Sequence, residues 1–135
     1  MKTAYKKNFE FMKNVFDTLC IIAPIDNKYF PPTFDYDPYD NRHGVRASAV
    51  VETNSIYVYD HGLGKIDFYL SAYPSETEFI RKYVTSDNKF RIWLICHEMA
   101  HLHNPNMMHT KGFFKKVEQL FLEYGEYNKK QKYVR

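Results

Sequence analysis

Two cysteines, Cys20 and Cys96, are all that the 135 residues contain, and they form no C-x-x-C pair. That excludes a zinc ribbon or knuckle and leaves no disulfide framework. Both stand in apolar runs, so reduced, buried thiols are expected. No uninterrupted apolar run approaches the length of a membrane span. Asp17 interrupts the apolar stretch 15–22 and no small-residue cleavage site follows, so no signal peptide is read there. Internal repeats and low-complexity tracts are absent. One domain over residues 1–135 is expected, soluble and monomeric, with no membrane partner and a cytoplasmic location in a bacterial cell or an infected host.

A strong excess of charge of either sign is also lacking. The net charge is only +3. The lysines gather near the two ends, from Lys2 to Lys13 and from Lys129 to Lys132, where solvated termini explain them. This balance tolerates a polyanion without establishing nucleic-acid binding. What is plentiful is aromatic: 12 Tyr and 11 Phe in a chain that is 44% hydrophobic. Most of these rings are explained by packing, with tyrosine able to stand half-exposed.

Along the chain, Tyr5, Phe9, Met12, Phe16 and Leu19 recur at helical spacing and predict an amphipathic helix over residues 3–20. Residues 21–44 are loop-rich, with a short edge strand expected at 29–34. The acidic cluster from Asp35 to Asp40 has the carboxylate density of a calcium loop. It lacks that loop's glycine and distal glutamate, and Asx turns explain it better. Strands are predicted at 45–51, 55–60 and 65–73, with a hairpin loop at His61-Gly62-Leu63-Gly64, giving three antiparallel strands. A helix follows at 75–84 with Ser75 as N-cap, and another at 89–103, apolar nearly all round and hence central. A last helix runs over 111–127, capped by Thr110.

The central helix carries His97-Glu98-Met99-Ala100-His101, an H-E-x-x-H pattern. Two imidazoles four residues apart lie about 40° apart on one helical face and can share one metal ion. Buried histidine and glutamate need partners, and a metal supplies them. The glycine-spaced extension of the motif is not met, since Asn104 and Met107 stand where glycine and histidine would be. His109 is the favoured third ligand, because the Pro105 turn brings it back toward the helix; Glu118 and Glu123 are the alternatives. His103 lies roughly 200° round the helix from His101 and cannot share the metal. His43 and His61 fall in loops and are assigned no role. With three protein ligands, zinc would hold a water in the open position. Glu98 would accept that water's proton and deliver it to a departing amine, while the metal polarised the carbonyl. The strand at 65–73 is the expected edge against which an extended peptide is aligned.

His97-Glu98-Met99-Ala100-His101-Leu102, then Asn104-Pro105-Asn106, then His109-Thr110-Lys111-Gly112-Phe113-Phe114, resembles the SprT-like and WLM/YgjP-like zinc metallopeptidases. The resemblance covers residues 93–114, with Thr110 where glycine or serine is usual and no zinc ribbon following. It implies a zinc-dependent peptidase with His97, His101 and His109 as ligands and Glu98 as catalytic base. It implies an α+β, minimal zincin fold: N-terminal helix, small antiparallel sheet, motif helix and closing helix. Protein or peptide substrates are implied, including proteins associated with DNA. The rival expectation is a non-catalytic module of the same fold that binds nucleic acid or a host protein.

Overall fold

The computed structural model describes residues 1–38 and 44–134. Tyr39 and Asp40, the last two residues of the expected Asx-turn cluster, lie outside the described residues, and so does His43. The architecture is α+β. Its elements are α1 (Lys6–Ile22, preceded by a 3-10 turn at Thr3–Tyr5), β1 (Thr33–Tyr36), β2 (Ala47–Val50), β3 (Ser55–Val58), α2 (Asp60–Leu63), α3 (Pro74–Tyr83), α4 (Asp87–His103) and α5 (Lys111–Val134).

The stripe on α1 does what its spacing predicts. Met12, Val15, Phe16 and Leu19 are buried, and Phe9 packs against them. Phe34 of β1 stacks on Phe9 at 5.3 Å and on Phe16 at 5.6 Å, which presses the sheet onto α1. Strand order is β1-β3-β2. β2 pairs antiparallel with β3, but β1 pairs parallel with β3, Phe34 facing Ile56. The sheet is therefore mixed, not antiparallel throughout. Asn54, in the left-handed region at φ 51°, makes the corner between β2 and β3. Its side chain donates to the Phe30 carbonyl at 2.8 Å, and its carbonyl accepts from the Thr33 amide at 3.0 Å. This corner draws β1 alongside β3, three residues further along than the expected edge strand at 29–34.

Two other expectations fail here. The segment 61–64 is not a hairpin loop; its first three residues belong to the short helix α2. Gly62 is required there, since a Cβ would stand 2.6 Å from the Arg46 carbonyl oxygen and 2.9 Å from a Val58 methyl. Residues 65–73 make no strand. Ile66 is buried, but Phe68 and Leu70 are exposed, so their alternation marks no buried face. Arg91 of α4 holds this region instead, donating to the carbonyls of Gly62 at 3.1 Å and Gly64 at 2.6 Å.

α4 is the central helix, packed against α1, α3, α5 and β2. Phe90, Trp93, Ile95, Cys96, Met99 and Leu102 are all buried although they point in several directions. The Ser86 hydroxyl caps it, accepting from the Lys89 amide at 3.2 Å. At α3 the N-cap is Tyr73, with Pro74 as the first helical residue, and not Ser75. Thr110 opens α5, its hydroxyl accepting from the Phe113 amide at 3.4 Å. That helix extends past residue 127 to Val134. Cys96 is fully buried and burial pushes its thiol up; Cys20 is half-buried and its thiol is pushed up to about 11, by burial first and by Asp17 second. Among the described residues no helix is long and apolar enough to cross a membrane.

Candidate metal centre

His97 and His101 project from the C-terminal half of α4. Asn104 ends the helix, its amide donating to the Ala100 carbonyl at 2.9 Å. The chain then turns tightly, with Met107 donating to Asn104 at 3.0 Å and Thr110 to Met108 at 2.7 Å. That turn returns His109 to the helix. The ligand nitrogens of His97, His101 and His109 all lie within 4.8 Å of one another. His101 Nε2 and His109 Nε2 are 3.0 Å apart.

These residues fit a metal. Two imidazole nitrogens bound to one zinc ion at about 2.0–2.1 Å stand roughly 3.3 Å apart at the tetrahedral angle. The donor set is all imidazole, which suits zinc among the divalent ions. Burial, and then the charges of neighbouring imidazoles, hold His101 down at about 4. Burial and the His97 charge likewise lower His109. Both rings are therefore neutral near pH 7 and present lone pairs.

His97 is held differently. Its Nδ1 hydrogen-bonds to Glu76 Oε2, a contact on α3 that the sequence did not single out. Burial works against charge on both groups. Against it act the hydrogen bond and the mutual attraction, with Glu98 adding to the pull on His97. The net effect lowers the Glu76 carboxyl and raises the His97 imidazole. The Trp93 indole donates to the same Glu76 oxygen at 3.0 Å. With Nδ1 engaged, Nε2 is the nitrogen of His97 turned to the cluster, and a buried carboxylate behind a ligating histidine fixes its tautomer and orientation. The signal for Glu76 was weak, because a glutamate in the first turn of a helix is ordinary on dipole grounds.

The other histidines and acids are elsewhere. His103 is half-buried near Lys116 and Glu123, away from the cluster. His61 is on α2. The Tyr83 hydroxyl donates to Glu118, and Gln119 donates to Glu123 at 2.9 Å; neither carboxylate joins the imidazoles. Phe113, fully buried, forms the floor, its ring centre 4.5 Å from His101 and 5.3 Å from both His97 and His109. Tyr73 stacks on His109 at 4.3 Å, nearly parallel at 13°.

The three imidazoles and Glu98, 7% exposed, line a cleft of about 490 Å³. Its two long walls are residues 44–51 and 70–73. The edge strand beside α4 is thus β2, not the segment 65–73. The Tyr59 amide donates to Arg46 at 3.0 Å, so Arg46, Ser48 and Val50 turn their backbone groups toward β3. Ala47 and Ala49 turn theirs toward the edge, where no strand among the described residues pairs with them. Compared with known proteins, the chain matches no protein-family model and no curated protein.

Proposed function

We propose that the protein is a zinc-dependent peptidase of minimal zincin form, hydrolysing peptide bonds in extended segments of protein substrates. The observation that carries this is the convergence of His97, His101 and His109 on one point beside Glu98, in a cleft bordered by an open strand edge. A zinc ion held there supplies Lewis acidity to a carbonyl oxygen and lowers the pKa of a neighbouring water.

The chain's own residues do the rest. Glu98 takes a proton from the attacking water and passes it to the departing amine. Glu76 holds His97 in the tautomer that presents Nε2. Ala47 and Ala49 offer backbone donors and acceptors to a peptide added as a further strand, and their small side chains leave room for it. Proteins bound to DNA fall within this substrate class, and the net charge of +3 is compatible with them.

The test is Glu98→Gln. The variant is expected to keep its zinc, measured by elemental analysis, and to lose at least about a hundredfold in kcat/KM on a disordered protein substrate. Cleavage equal to the parent's would refute the role of Glu98. A zinc-loaded parent that binds peptides and cleaves none would instead be the non-catalytic module.

A further inference from the structure

Besides the imidazoles, a permanent cation lines the cleft. Among the described residues, Arg46 is the only lysine or arginine in its walls. It stands at the start of β2, half-buried, with its guanidinium 4.9 Å from the centre of the Phe90 ring. The acid that acts on its charge is Asp67, which is exposed. A guanidinium held against an aromatic ring keeps a planar fork of N–H donors. That fork matches a carboxylate, by two parallel hydrogen bonds.

The position of Arg46 fixes where such a carboxylate lies. Phe90 precedes His97 by seven residues on α4, a rise of about 10.5 Å. An extended peptide covers that distance in about three residues at roughly 3.3 Å each. A strand added antiparallel to β2 has its later residues beside the earlier residues of β2. Its C-terminal side therefore runs toward Arg46.

Resting on the peptidase reading, we propose that Arg46 determines specificity by taking a substrate carboxylate about three residues C-terminal to the scissile bond. That carboxylate is either an acidic side chain within a longer chain or the free C-terminus of a peptide.

The experiment uses the full chain loaded with zinc and a set of quenched peptides of one neutral sequence. A single Glu is moved through the positions on both sides of the cleaved bond. Parallel peptides end three residues after it, with a free or an amidated C-terminus. The expected result is a kcat/KM at least about tenfold higher with Glu near the third position than with Gln there. Arg46→Gln removes that difference, and Arg46→Glu transfers the preference to Lys. The reversed preference also shows that the variant is folded. A stronger response to the free C-terminus than to the internal Glu identifies the terminal carboxylate as the source. Equal rates across the set, or a preference for Glu that survives in Arg46→Gln, overturns the proposal. If the parent cleaves nothing, fluorescence anisotropy of the same labelled peptides decides it. Arg46-dependent preference for the acidic peptides sustains the role of Arg46 while the peptidase reading fails, and equal binding refutes it.

Discussion

Glu76 is the residue on which the site's order depends most. It is 5% exposed, and its hydrogen-bond partners are His97, Trp93 and Ser71. Glu76→Gln removes the charge that fixes His97 and is expected to weaken zinc binding by about 10–100-fold with helix content unchanged. Competition with a chelating dye measures this, and the emission of Trp93, the one tryptophan, reports the local change. Unaltered affinity would remove Glu76 from the site. The same residue shows how far the sequence could be read. His97, Glu98 and His101 were legible because four-residue spacing on a helix is a local property. His109, eight residues after His101, was legible because the proline turn between them leaves few paths for the chain. Glu76 was not, because Trp93 and His97 are 17 and 21 residues away and only the packing of α3 on α4 brings them to it.

Among the elements, α2 was missed as a hairpin loop and α5 runs seven residues past its expected end, but the long helices otherwise stand where they were read. Their apolar stripes repeat at 3.6 residues whatever they pack against, as Met12, Phe16 and Leu19 do on α1. Strands were read less well. Ile66, Phe68 and Leu70 alternate like a strand, yet no neighbouring strand is there to pair with them. β1 follows two prolines, and its parallel pairing with β3 depends on a corner at Asn54 that leaves no periodic trace. The contact of α2 with β2 gives a test at this scale. Gly62→Ala places a methyl against the Arg46 carbonyl and is expected to destabilise the fold by roughly 1–3 kcal/mol, read from urea unfolding. Unchanged stability would mean that α2 is not pressed against the start of β2.

Across the whole molecule, the three imidazoles come from a helix and from the loop that follows it, so a metal held by them would join α4 to the entry of α5. An ion bound only by the folded chain stabilises it, by about 2.7 kcal/mol at a hundred times its dissociation constant. Zinc is expected to raise Tm, a chelator to reverse the rise, and His109→Ala to abolish it; scanning fluorimetry measures all three. A Tm indifferent to zinc would argue against the centre. The open edge at Ala47 and Ala49 has one more consequence. It offers hydrogen bonds only to a chain whose own backbone groups are unspent, and a helix or a paired strand has none to give. On the proposed peptidase reading, a folded target would be cut no faster than it locally opens. The stability of the target's own segments, as much as its side chains, would decide where it is cleaved.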